Sequence, residues 1–194
     1  MRKFIVICTF LLTFAFVTAC AKHENRPRAD YGMMALQTYY QNFEEITIDS
    51  DLIVEVELTG NTKQFNYGHA DWSVADAEVK KVYKGDEKFK SELIQILEVA
   101  PLDNTSENYV NKKHLLFLKK YIGPMIEDAY VIAGVYQGNF KIDNEDKLIY
   151  EADKYHGYIS FQSKLNNQKI SVAKERIDVA LKQTKLVNDS KPAK

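Results

Sequence analysis

His69-Ala70-Asp71 is the one place where a histidine and a carboxylate stand close together in a stretch with turn character. The pair could supply two ligands to a metal, but a site needs three or four, and the chain has only four histidines. A polar turn between two strands is the preferred reading. His114 opens an apolar stretch, His156 precedes a glycine and His23 lies in a charged segment, which marks them as ordinary surface or strand-edge residues. Hydrolysis through an activated serine calls for a strained Gly-x-Ser-x-Gly elbow, and that pattern does not occur. Glu44-Glu45 and Glu55/Glu57 could pair across a cleft as glycosidase carboxylates do. Glu55 and Glu57, however, share one face of an alternating strand, and a solvated strand face is expected to carry charge. No catalytic constellation, metal site or cofactor is assigned.

The aromatic residues offer more. Tyr67, Trp72, Tyr83, Tyr109, Tyr121, Tyr136, Tyr155 and Tyr158 fall in or beside expected loops and strand ends. Aromatic faces stack on sugars and bases, and Tyr and Trp are enriched at interfaces. The only tryptophan stands in Asn66-Tyr67-Gly68-His69-Ala70-Asp71-Trp72, expected to connect the first two strands. It would either close one end of a barrel or recognise something. Tyr67, His69, Trp72 and Tyr136 are the candidate ligand-binding residues.

The first twenty residues have another character. Arg2 and Lys3 precede an apolar run from Phe4 to Val17, interrupted only by Thr9 and Thr13. At roughly 1.5 Å per residue a helix of that run spans about 21 Å, short of the ~30 Å hydrocarbon core, so the segment reads as an export signal. Val17-Thr18-Ala19-Cys20 closes it, and this resembles the lipobox of bacterial lipoproteins, with Val17 where leucine is commonest. The resemblance implies cleavage after Ala19 and a diacylglyceryl group on the Cys20 thiol. Two fatty chains of the palmitate type hold a protein on a bilayer where one is marginal.

The chain of 194 residues thus divides into a signal peptide (1–19), a lipidated cysteine with a polar tether (20–30), one globular β-rich domain (31–187) and a frayed tail (188–194). Cys8 leaves with the signal and Cys20 carries lipid, so the exported domain has no thiol and must be held by its core. Without Arg2 and Lys3, 24 basic residues face 27 acidic ones, a net charge of about −3. Such a domain is not drawn to nucleic acid or to anionic headgroups by charge.

The elements that position the candidates follow from periodicity. Met33, Leu36, Tyr40 and Phe43 predict a short amphipathic helix within 31–46. Alternation over 51–59 predicts a strand. A second strand, 73–84, slips phase at Lys80-Lys81 as a β-bulge would. Residues 93–99 and 115–118 are apolar on both parities, as strands covered on both faces. Further strands are expected over 129–136, 140–143, 148–150 and 158–161. A terminal helix starts with Ser171 as its cap and runs to about Lys185, its stripe Ala173, Ile177, Ala180, Leu181 and Thr184 widened by Val172 and Val179.

The expected fold is mainly β (α+β): a small antiparallel OB-like β-barrel or sandwich with a short N-terminal and a C-terminal helix. The order of 51–54, Val82-Tyr83-Lys84-Gly85-Asp86, 115–118 and Gly134-Val135-Tyr136-Gln137-Gly138 resembles exported bacterial OB-like domains similar to netrin-like modules. Netrin-like protease inhibitors use a free amino-terminal cysteine. Cys20 would be lipidated, so inhibition of that kind is not implied. The expectation is a non-enzymatic binding or interaction domain, lipid-anchored on the extracytoplasmic face of the cell membrane. Its partners would be the bilayer and an envelope protein or glycan, with no nucleic acid. An exported carboxylate hydrolase, or a structural envelope protein without a discrete ligand, is the alternative.

Overall fold

The computed structural model describes residues 31, 36, 38–99 and 112–189. The expected signal peptide, Cys20, the tether and residues 190–194 lie outside them. The fold is mainly β with two helices. Strands β1 (Leu52–Tyr67), β2 (Ala70–Lys84), β3 (Leu93–Val99), β4 (Lys112–Lys120), β5 (Ala129–Ile132), β6 (Asn139–Ile142) and β7 (Leu148–Ile149) are flanked by α1 (Phe43–Asp49) and α2 (Ile170–Asp189). Pairings run β1-β2-β3-β5-β4, and β4 pairs back with β1, so five strands close into a ring. One pairing departs from the antiparallel expectation: β3 and β5 are parallel.

Ring closure follows from residue parity. Leu52, Val54 and Val56 of β1, Ala77 and Val79 of β2, Ile94 and Ile96 of β3, Leu116 and Leu118 of β4, and Tyr130 and Ile132 of β5 form one buried cluster. Every ring strand contributes alternate residues to it, as period-two side chains must when a sheet curls on itself. The opposite parity of β1 and β4 (Ile53, Leu115 and Phe117) joins Phe43, Ile46, Phe140, Phe161, Ala173 and Ile177 in a second cluster beneath the helices. That is why 115–118 is apolar on both parities.

The bend needed for closure comes from irregular pairing. Val56 pairs with Val79 and Glu55 with Lys81, leaving Lys80 as an extra residue, and Tyr83 is a second one between Val82 and Lys84. The phase slip at Lys80-Lys81 is therefore a bulge. A third irregularity, between Leu58 and Thr62, carries the far half of β1 beyond its pairing with β4, while β2 stays paired with β3 from Trp72 to Glu78.

Several expectations are corrected. The stripe from Met33 to Phe43 is not one helix: residues 38–42 are non-helical and α1 starts at Phe43. Asn42 sets that start, its side chain accepting from the Glu45 N–H at 2.8 Å while the Glu45 carboxylate reaches back to the Gln41 N–H at 2.9 Å, a reciprocal cap that reaches one residue further than a capping box. The strand expected over 129–136 stops at Ile132, because residues 133–138 turn back on Phe117. Residues 158–161 form no strand, and Phe161 opens a short 3-10 turn. Helix α2 begins two residues early, at Ile170, so Ser171 lies inside it, and it continues to Asp189, into the expected tail. Ala173, Ile177 and Ala180 are buried as expected, but Val172 and Val179 are exposed rather than part of the stripe.

Candidate binding site

The hairpin between β1 and β2 is tighter than the loop expected for 66–72. Tyr67 pairs directly with Ala70, leaving Gly68 and His69 as its two turn residues. Both have positive φ, 61° and 66°, the signature of a type I′ turn whose twist matches the strands it joins. Trp72 accordingly lies in β2, opposite Phe65, and its indole N–H donates to the Tyr67 carbonyl at 3.1 Å. Tyr67, His69 and Trp72 are thus brought together at the hairpin end.

Tyr136 is elsewhere. It is fully buried under the helices, its ring 4.6 Å from that of Tyr31, and its hydroxyl accepts the Tyr158 N–H at 3.0 Å. It touches a cavity of about 30 Å³ lined also by His114, Asn139, Lys141 and Glu151. That is the volume of a single water, too little for an organic ligand. Around it His114 Nδ1 lies 2.8 Å from Asn139 Oδ1. Burial alone would raise the Glu151 carboxyl, but hydrogen bonds from Lys141 at 2.5 Å and Lys154 at 2.8 Å outweigh it and hold the group below its ordinary value. This is a neutralised structural cluster.

The larger depression lies beside the hairpin. An open groove of about 700 Å³ lies between the far half of β1, the outer face of β2 and β3, and the segment after β4. Thr62, Phe65, Val74 and Gln95 contribute from the strands, and Met125 and Ile126 from the segment. Lys63 and Asp76 bring opposite charges to its sides. Beneath it Val74, Leu97 and Ala129 form a small buried cluster on which Phe65, Trp72, Tyr121, Met125 and Ile126 pack. The candidate Trp72 therefore shares an apolar cluster with the groove.

The groove wall is held by its own tyrosine. The Met125 N–H donates to the Tyr121 hydroxyl at 3.3 Å, folding 121–126 over the ring. Gly123 sits where a Cβ would collide with that hydroxyl, so the fold-back needs a residue without one. Sequence reading missed Met125 and Ile126; the only signal was an apolar pair just after Gly123-Pro124, in a stretch that otherwise reads as turn.

The carboxylates expected on a solvated face are corrected in part. Glu55 is buried and bound by Lys81 at 2.8 Å and by the Tyr83 hydroxyl at 3.2 Å, while Glu57 is bridged by Lys80 at 3.1 Å. Burial first, and the Glu55 carboxylate second, push the Tyr83 hydroxyl well above its ordinary value. Both carboxylates are occupied by lysines. Among the described residues no group of three or more His, Cys, Asp or Glu side chains could hold a metal ion, and no helix is long and apolar enough to cross a membrane.

No protein-family model matches this chain, and no curated protein matches it.

Proposed function

We propose that this chain is a lipid-anchored, non-enzymatic binding domain, exported and held on the extracytoplasmic face of the cell membrane through Cys20, with the groove beside the β1–β2 hairpin as its ligand face. The groove carries this reading. Its floor mixes apolar and polar side chains, its volume suits a few sugar or peptide residues, and it lies over the outer face of the second and third strands. Small OB-type barrels take oligosaccharides and oligonucleotides on that face, between the loops after their first and fourth strands. The corresponding elements here are the Gly68-His69 turn and residues 121–128. Among the described residues Lys63 alone of the lysines lines the groove, and a phosphate-binding track needs several, so a glycan or an extended peptide of an envelope protein fits better than a nucleic acid.

Trp72 provides the test, because it packs on the same cluster as Phe65 and Met125. Titration with arrayed envelope glycans and oligopeptides is expected to shift its emission for one ligand class. Phe65→Ala should abolish the shift while leaving the thermal midpoint within a few degrees. A binder found by other means whose affinity is unchanged by Phe65→Ala and by Met125→Ala would remove the groove from this account.

A further inference from the structure

We infer that the domain has a second, protein-made contact with the bilayer: an exposed patch of Tyr39, Tyr158 and Ile159 at the root of the tether, which rests on the lipid interface and turns the groove away from it. This rests on the lipid-anchor reading of Cys20.

Three large side chains are exposed together here, Tyr39 at 44%, Tyr158 at 61% and Ile159 at 50%. The rings of Tyr39 and Tyr158 meet edge to face at 6.3 Å, so the residues form one surface. The patch is stiffly mounted. The Tyr158 N–H is held by the Tyr136 hydroxyl at 3.0 Å, and the Ser160 hydroxyl donates to the Tyr40 carbonyl at 3.0 Å. Such a fixed apolar surface costs little ordering entropy when it docks.

Its position names the occupant. Tyr31, the first described residue, packs its ring on Tyr136, which itself holds Tyr158, so the tether meets the domain beside the patch. Ten residues, 21–30, separate that point from a lipidated Cys20 and reach about 35 Å at full stretch. A link this short gives an effective concentration of about millimolar, so even a weak surface affinity is satisfied on the bilayer that carries the anchor. Tyrosine suits the site because its ring sits at headgroup level with the hydroxyl in water. The groove lies past the bulge of β1, at the opposite end of that strand from α1 and Tyr40.

The test uses the mature, acylated protein in phosphatidylcholine vesicles with or without brominated acyl chains, with sedimentation checked first. The native protein reports from Trp72; two single-tryptophan versions carry Trp72→Phe with Tyr158→Trp or with Tyr39→Trp. Brominated lipid should quench the tryptophan at position 158, and independently the one at position 39, several-fold, and leave Trp72 unaffected. Vesicle-bound protein whose tryptophans at positions 158 and 39 are both no more quenched than Trp72 overturns the docking face while the anchor stands. Acylated protein that fails to sediment with the vesicles overturns the anchor reading and this inference together.

Discussion

The side-chain amide of Gln137 grips the peptide backbone of Tyr40 at both ends. The Tyr40 N–H donates to Gln137 Oε1 at 2.9 Å, and Gln137 Nε2 donates to the Tyr40 carbonyl at 3.0 Å, across 97 residues of sequence. Gln137 is fully buried, and its own carbonyl accepts from Gln162 Nε2 at 3.3 Å. One side chain thus replaces a strand partner for the segment leading into α1. Replacing it with leucine would strand the Tyr40 N–H in a dry interior at about 1–3 kcal/mol, while the Tyr40 carbonyl keeps the Ser160 hydroxyl. Gln137→Leu is therefore expected to cost about 2 kcal/mol in urea unfolding, whereas Tyr40→Phe leaves this backbone grip in place and loses only the hydrogen bond to Asp49.

The acid limb of stability should report Asp49. The hydrogen bond from the Tyr40 hydroxyl at 2.5 Å is the main cause holding this carboxyl below its ordinary value, against some burial and aided by Lys119. A carboxyl with a depressed folded pKa stabilises the fold fully above its unfolded value of about 4, and this is lost as pH falls through the folded value. Urea midpoints are expected to hold near neutrality and fall below about pH 4. Tyr40→Phe should flatten that fall; an unchanged acid slope would mean the Tyr40–Asp49 bond is not formed.

The hairpin turn offers a gain. His69 occupies a left-handed conformation that costs a non-glycine residue about 1 kcal/mol. His69→Gly should raise stability by up to about that amount, and His69→Val should lower it. If His69→Gly also weakens ligand binding by tenfold or more, the imidazole itself is part of the recognised surface.

A buried hydroxyl in β2 offers another. Ser73 is fully buried, and its Oγ has no hydrogen-bond partner among the described residues. Ser73→Ala should stabilise the protein by about 1 kcal/mol, read as a higher midpoint with an unchanged denaturant slope. A loss of stability would reveal a partner for that hydroxyl.

Much of the ring was legible because its signals are local. The alternation of Leu52, Val54 and Val56 faces one interior, and the slip at Lys80-Lys81 is a residue left out of the pairing. The double-sided apolar run at 115–118 marks the strand between ring interior and helices. What failed was set by distant partners. The spacing of Leu36, Tyr40 and Phe43 fits a helix, but Gln137 claims the backbone of Tyr40, which is non-helical. Tyr136 looked like a loop aromatic because the turn that buries it is stitched to Phe117 rather than to its own neighbours: Ala133 donates to the Phe117 carbonyl at 2.9 Å, and the Phe117 N–H donates to Gly138 at 2.8 Å. Beside the groove, Tyr67, His69 and Trp72 were within reach of a hairpin pattern, though none of them lines it. Met125 and Ile126 were not, because only the closed ring carries them to the outer face of β2 and β3.

The amino terminus of the mature protein decides most directly whether a lipid holds this domain on the membrane. Intact-mass and peptide mass spectrometry of protein extracted from membranes is expected to find a chain beginning at Cys20, its mass raised by a diacylglyceryl group. A chain that retains residues 1–19, or that starts elsewhere and carries an unmodified thiol at Cys20, would contradict the lipid anchor.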